Sequence, residues 1–465
     1  MNNPGVKIEV HLIQNFAPCN LNRDDTGQPK SAVFGGARRA RVSSQCGKRA
    51  VRDWWRERGK VTVGERTKRL QQLIGGKLAQ DQEFANQVTD EEDRKTGIRI
   101  FTDAYYAAAD KKNSDSTSVL VFVGPGEVDV CAKAIKEIWN DRTEHATKQG
   151  KPVMETVDGI ASIVKKVRAL NKNGQGALKT SQRATSDDTE SVAEQAESEQ
   201  TNVEEAAGEA RDKGPKLTPT RQIEDRIRAA EVSADIALFG RMLAEQPGRN
   251  TDGACQVAHP ISTHKVDMEM DFYTAVDDLN PPEVTGAGMM GVIGFNSACY
   301  YRYALVDRDQ VARNLARKTE RKNGKWSQNL EAKDYSEADA IIKAFLEAMV
   351  YAIPTGKQNS FAAQNLPSFG LFVRRQGGVP ISLANAFAKP VRPTKDDDDL
   401  VGLSVDRLTK HWDAMKSVYG DQGVQVVSCF HLQEEDRLNG ISGSDRKSGS
   451  VEEAISAVME AAKTQ

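Results

Sequence analysis

From Val6 onward apolar and polar positions alternate, with Val6, Ile8, Val10 and Leu12 set against Lys7, Glu9 and His11. A period of two predicts a first β-strand. A polar loop, PCNLNRDDTGQPK, follows, and Gly35-Gly36 break the chain before a short strand expected over Ala37–Val42. Ser43-Ser44 stand where a helix N-cap belongs, which predicts a helix from that point. At about 100° per residue, Gln45, Lys48, Arg49, Arg52 and Arg56 fall in one polar stripe. Gly47, Ala50, Val51, Trp54, Trp55 and the stem of Arg58 fall on the other side.

Between Glu65 and Leu170 the pattern is mostly helical, interrupted by an apolar β-type run, Ser118–Val123, that ends at Gly-Pro-Gly. Residues Asn171–Pro219 lose their aromatics, and between Thr185 and Asp212 ten acidic residues face one basic residue. Such a stretch buries too little apolar surface to order itself, so a flexible acidic spacer is expected, pointing away from any polyanion. Asp235–Phe239 is expected as a strand, and GRMLAEQPGRNTDGACQ after it as a protruding arm. Further strands are expected at Val266–Val276, Gly291–Val306, Gly370–Arg375 and Gly423–Cys429. Helices are expected at Asp309–Lys318, Ala338–Tyr351, Val405–Val418 and Val451–Ala462, with a charged loop at Lys395–Asp399. Strands and helices interleave without regular βα units, which predicts an α+β fold with an antiparallel sheet backed by helices.

The composition narrows the class. The chain has 465 residues, 28% of them charged and 38% hydrophobic, with a formal net charge of −2. It is long enough for about two or three domains. No apolar run approaches the roughly 20 residues needed to span a bilayer, and the first residues lack the pattern of a signal peptide. The six cysteines are scattered with no C-x-x-C, so reduced thiols and a cytoplasmic location are expected.

Charge is concentrated in one place. Lys30–Arg58 holds nine Lys/Arg and two acidic residues, the electrostatic footprint of a polyanion site. The free N–H groups and positive dipole end of the expected helix add to it, and the glycines just before it let a phosphate backbone come close.

Several strings then occur in one order: HLIQNFAPCNLNRDD, FGGARRARVSSQ followed by KRA, DIALFGRM, HPISTHKVDMEMDFYTAVDDL, YYRYA, GKQNSFAAQN and LANAFAKPV. Together they closely resemble the CasC backbone subunits of the type I-E CRISPR Cascade complex, in the Cas seven family. The resemblance implies a modified RRM-like (ferredoxin-like) palm, an inserted helical finger domain and a thumb loop. It places palm at 1–60, finger at 61–170, a palm strand at 220–239, the thumb loop at 240–260 and the rest of the palm at 261–465, with the acidic spacer at 171–219 as an added insertion.

The family stacks head-to-tail into a filament along a CRISPR RNA guide, kinks it at intervals, and presents it to target DNA alongside large, small, guide-capping and guide-processing subunits. It is not itself the nuclease, and no cofactor or metal is implied. By the resemblance, Arg23, Lys30, Arg38, Arg39, Arg41, Lys48, Arg49 and Arg52 contact guide phosphates, and Ser43, Ser44 and Gln45 donate hydrogen bonds to phosphate or sugar. Such contacts position a strand without reading its sequence. Met242 matches a thumb methionine able to wedge between bases. Phe272 and Tyr273 match an aromatic pair that abuts a displaced base, and Lys357 with Gln358 approaches the guide. Departures are Ala37, often basic in the family, and Gly47 in the first helical turn, where glycine costs about 1 kcal/mol against alanine. The aromatic signature of standard RRM strands is absent.

Other chemistries are weaker. His259, His264 and Asp267 form H-x4-H-x2-D, a donor set for zinc, but off helical spacing. Asp24 and Asp25 lie in the loop after the first strand, where related type III backbone subunits carry a catalytic aspartate, so target-RNA cleavage with a divalent ion is the alternative reading. Neither a phosphate-binding G-x4-G-K-[ST] loop nor a G-x-S-x-G elbow occurs. DNA-binding helix-turn-helix or zinc-finger spacing is also absent.

Overall fold

The computed structural model describes residues 5–88, 90–149, 219–243, 245–279, 281, 288–322, 325–421, 423–441 and 446–460. The expected acidic spacer, up to residue 218, lies outside the described residues. The chain divides into two compact units. One comprises Met1–Val63, Ser233–Gly240 and Thr251–Gln465, the other Gly64–Val232 and Arg241–Asn250.

The first unit contains strands β1 (Val6–Cys19), β2 (Ser31–Phe34) and β3 (Ala37–Ala40), and helices α1 (Ser44–Arg58) and α2 (Ala234–Phe239). Strands β4 (Cys255–Val257), β5 (Ile261–Ser262), β6 (Glu269–Ala275) and β7 (Met289–Asp307) follow, then α3 (Arg308–Ala316), α4 (Ala332–Tyr351) and α5 (Gln358–Phe361). The unit closes with β8 (Phe369–Gln376), α6 (Leu400–Tyr419), β9 (Val424–His431), β10 (Arg446–Lys447) and α7 (Val451–Glu460). The sheet runs β10-β9-β8-β1-β7-β4, with β5 and β6 also on β7. Every pairing in it is antiparallel except β9 with β10. This is the expected α+β sheet backed by helices.

Both faces of that sheet are covered. Ile8, Val10 and Leu12 pack with Ala50, Val51 and Trp55 of α1, Phe345 of α4 and Ile455 of α7. On the opposite face Ile13, Tyr301 and Leu371 pack with Val405, Leu408 and Trp412 of α6. Two polar alternants of β1, Glu9 and His11, are therefore buried, each 0% exposed. Buried charges must be paired. Arg375 donates through Nε to Glu9 Oε1 at 2.6 Å, and the Ile381 N–H donates to the same oxygen. His11 Nδ1 meets the Tyr301 hydroxyl at 2.9 Å, and Tyr301 in turn accepts from the Leu383 N–H.

Asp235–Phe239, expected as a strand, is part of helix α2. Its apolar run is short enough to read either way, and burial of Ala234, Ile236, Ala237 and Leu238 on nearly all sides erases the period that separates the two. The segment expected as a protruding arm is also different. Leu243, Gln246 and Arg249 are buried in the second unit, and Cys255–Val257 is a sheet strand. The arm is β6 with the start of β7, where every residue of β6 is exposed.

The second unit is mainly helical, with Leu70–Gln80, Glu91–Tyr105, Pro125–Gln149 and Pro219–Ala229 around a core of Ile74, Phe84, Phe101, Tyr105, Trp139 and Ile227. Its one small sheet among the described residues pairs Glu65–Thr67 with Val121–Val123. No helix among the described residues is long and apolar enough to cross a membrane.

The Glu9 carboxyl gives a pH signature. Burial pushes its pKa up, but the hydrogen bonds and charges of His11 and Arg375 outweigh burial and hold it below the ordinary 4.5. A carboxyl depressed in the folded state contributes stability above its unfolded value and loses it as pH falls through the folded one. Glu9→Gln is expected to lower stability by about 3–5 kcal/mol at neutral pH by removing the carboxylate that faces the buried Arg375 guanidinium. In denaturant titrations the gap to wild type is expected to close as pH falls below 4.5; a constant gap would contradict the assignment.

Candidate nucleic-acid interface

Helix α1 starts as its sequence predicts. Ser43 is the N-cap, its Oγ accepting from the Cys46 N–H at 3.2 Å, and Gly59 closes the far end in the left-handed region at φ 62°. Ser43 is buried and its own N–H donates to Asn22 Oδ1 at 2.8 Å, so its oxygen serves the helix and not a ligand. Ser44 is half-buried and Gln45 exposed.

The rotation of α1 divides its cations. Arg49 is exposed and ion-paired with Asp53 at 2.6 Å. Lys48 is half-buried, its ammonium 5.1 Å from the centroid of the Phe239 ring. Arg52, expected beside them, is buried and donates through Nε to Asp235 Oδ2 at 2.7 Å. Asp235 is also held by the Ser233 hydroxyl at 2.8 Å. Arg52 thus locks α1 to α2 and is not a phosphate contact. Gly47, expected on the packed side, faces open space; a Cβ there would meet nothing within 4 Å.

Arg39 is a second correction. The β2–β3 hairpin turns on Gly35 and Gly36, both in the left-handed region at φ 58° and 74°. Arg39 is 0% exposed and donates to four carbonyls, Phe34 at 3.3 Å, Ser262 at 3.0 Å, Phe387 at 2.7 Å and Ala388 at 3.4 Å. It staples the hairpin to the sheet. Its neighbours in sequence stay available. Arg38 and Arg23 are exposed and Lys30 is half-buried.

The half-buried Arg41 donates to His259 Nδ1 at 3.0 Å. Burial first, then the charges of Arg41 and Lys30, push the pKa of His259 down. His264 has both nitrogens engaged, Nδ1 with the Lys265 carbonyl at 2.9 Å and Nε2 accepting from the Cys299 N–H at 3.2 Å. Asp267 pairs with Lys265. The H-x4-H-x2-D string therefore assembles no metal site, and no cluster of metal-binding side chains occurs among the described residues.

Arg23 and Arg49 open onto one cleft of about 430 Å³, with Asn22, Asp24, Asp53 and the Pro354–Gly356 turn in its wall. Lys357 follows that turn in the left-handed region at φ 51°. The turn was not singled out by sequence, although it lies inside the GKQNSF neighbourhood. Gly356 is demanded there, because any Cβ would collide with the Leu21 carbonyl. Asp24 Oδ1 accepts from the Thr26 hydroxyl at 2.7 Å and from the Thr26 and Gln28 N–H groups at 3.0 Å. The Thr26 hydroxyl is the main cause holding its pKa below the ordinary range. That carboxylate organises its own loop.

Phe272 and Tyr273 both sit on the β6–β7 arm, 63% and 37% exposed. As consecutive strand residues they point to opposite faces. Tyr273 lies across Gly291, where a Cβ would come within 2.5 Å of the ring. Phe272 shares its face with Met270, Met290 and Val292, all exposed. Met242, in the second unit, is 82% exposed on a clamped segment. The preceding Arg241 is buried, donating to Glu127 at 2.5 Å and to the carbonyls of Phe122 and Arg249 at 3.2 and 3.0 Å.

Residues 8–179 and 160–457 match the model of the CT1975-like proteins. The chain belongs to the CT1975-like family. A chain of a "CRISPR RNA-guided surveillance complex, pre-nicking" is similar to this CT1975-like protein at 25% identity, over 98% of this chain and 100% of that one, with a TM-score of 0.67. A chain of another "CRISPR RNA-guided surveillance complex" shares the fold at 20% identity over 98% and 99%, with a TM-score of 0.60. No curated protein matches. The α+β architecture of this CT1975-like chain is thus the RRM-like fold of those complex subunits.

The division of cations is open to test. Arg52→Gln strands buried Asp235 and is expected to lower stability by about 3–5 kcal/mol. Arg39→Gln is expected to destabilise as well, and exposed Arg38→Gln to stay within about 0.5 kcal/mol of wild type. Chemical denaturation measures all three; an Arg52 variant as stable as wild type would contradict the division.

Proposed function

We propose that this chain is a Cas seven-type backbone subunit of a CRISPR RNA-guided surveillance complex, of the type I-E Cascade kind that its sequence strings resemble. It holds the CRISPR RNA guide along its phosphate backbone and presents it for pairing with target DNA. The observation that carries this reading is the row of available cations around the α1 N-terminus and its cleft: Arg23, Lys30, Arg38, Arg41, Lys48 and Arg49. Cations, an N-terminal helix end and glycine turns bind phosphates of any sequence, while specificity is left to base pairing. Further copies of the chain and the other Cascade subunits are its partners, in the cytoplasm. The apolar stripe of Met270, Phe272, Met290 and Val292 suits such an assembly, since a stripe of this kind marks an interaction surface.

The role is non-catalytic. The alternative, RNA cleavage by Asp24 and Asp25 with a divalent ion, is disfavoured by the three donors that already occupy Asp24 Oδ1.

Lys48→Glu with Arg49→Glu is expected to abolish guide loading while leaving the protein folded. Co-purified guide RNA, quantified against circular dichroism of the same sample, reads both. Guide loading that survived in the folded double variant would refute the assignment of this face.

A further inference from the structure

Strand β7 leaves the main sheet before it enters the arm. Its pairing with β1 ends at Asn296, opposite Cys19, and from Phe295 back to Met289 its partner is β6. A two-stranded ribbon is marginal by itself in water, and every residue of β6 is exposed. The angle of the arm therefore depends on what braces its base. One brace is the Phe295 ring, 5.8 Å from that of Phe361 in α5. The other is polar. Asn20 directly follows β1 and is 0% exposed. Its Nδ2 donates to the Gly294 carbonyl at 2.9 Å and to the Gly27 carbonyl at 3.1 Å. The side-chain amide adds one rung where the backbone ladder has stopped.

The same amide belongs to the loop that carries Arg23. That loop is closed on itself, the Asp24 N–H donating to the Gln28 carbonyl and the Lys30 N–H to the Asn22 carbonyl, both at 2.9 Å. Asn22 Oδ1 ties it to the α1 N-cap by accepting from the Ser43 N–H. Gln28 lies against the arm. A Cβ on Gly294 would come within 1.6 Å of Gln28 Oε1 and 3.3 Å of Met268 Sδ. Position 294 needs glycine because loop and arm touch there, and not because its backbone is left-handed.

We propose that Asn20 is a positioning residue: its carboxamide bolts the β6–β7 arm to the Arg23 loop, so that the arm is held at one angle to the cleft before a strand binds. This rests on the function proposed above and adds to it that the arm is pre-set and not ordered by the guide. Preorganisation of this kind removes an ordering cost from binding. Asn20 touches no ligand itself, since it is buried and its amide group has two donors, both used.

Full-length wild type, Asn20→Ala, Gly294→Ala, and Gly294→Ala combined with Gln28→Ala are compared by hydrogen–deuterium exchange. Binding of a guide-length single-stranded RNA to each is followed against salt. Without RNA, the arm amides of Asn20→Ala and Gly294→Ala are expected to exchange about 2- to 10-fold faster than in wild type, the worth of one hydrogen bond, with the α1 amides unchanged. RNA affinity is expected to fall by a similar factor. The slope of log affinity against log salt is expected to stay that of wild type, because no phosphate contact is lost. Gln28→Ala makes room for the new Cβ and is expected to restore both readouts to Gly294→Ala. The constant slope and the rescue separate positioning from a general loss of stability. Arm exchange at the wild-type rate in both single variants, wild-type affinity despite a faster arm, a slope that falls, or a double variant no better than Gly294→Ala would overturn the proposal. Wild type that bound no RNA would defeat the proposed function, and the exchange comparison with its rescue would still decide whether Asn20 holds the arm.

Discussion

Trp55 fixes how α1 is rotated against the sheet. It is fully buried, and its indole N–H donates to the carbonyl of Ala344 at 3.1 Å. With Ala50 and Val51 beside it in the core, the helix has one way to lie. That seating turns Arg52 inward to Asp235 and leaves Lys48, Arg49 and Gln45 on the outer side. It also holds the N-terminal turn over the cleft shared with Arg23. The electrostatics of the interface are thus set by a packing constraint, and the buried Arg52–Asp235 pair guards it. Removing either partner strands a charge, the penalty that makes such a pair conformationally demanding.

A sequence dense in arginine does not say which arginines bind. Arg38 and Arg39 are adjacent, yet strand alternation sends one to solvent and one to four backbone carbonyls. The partners of Arg39 come from Ser262 and Phe387, far along the chain, so no local pattern announces them. The Arg52 assignment failed for a similar reason. Its partner lies in a segment whose short apolar run read as a strand and proved to be helix α2. What was legible was local and periodic: β1, the Ser43 cap, the four long expected helices of the first unit, and the four later strands. The protruding arm was expected one segment too early. Glycine and polar residues between Gly240 and Gln256 suggested a loop, but Arg241 is clamped in the second unit by Glu127. The true arm betrayed itself only through apolar residues at Met270, Phe272, Met290 and Val292 that the sheet core does not use.

Buried charge in the first unit is satisfied within the chain in two ways. On the α6 face, Glu9 and Arg375 neutralise one another, and on the α1 side Arg52 and Asp235 do the same. Arg39 has no carboxylate among the described residues and instead places its donors on backbone carbonyls.

The most direct measurement is to co-express the full chain with the subunits encoded beside it, purify the assembly, and sequence whatever nucleic acid comes with it. The account predicts a large multimeric particle containing uniform CRISPR-derived RNA. A monomer free of nucleic acid would contradict it.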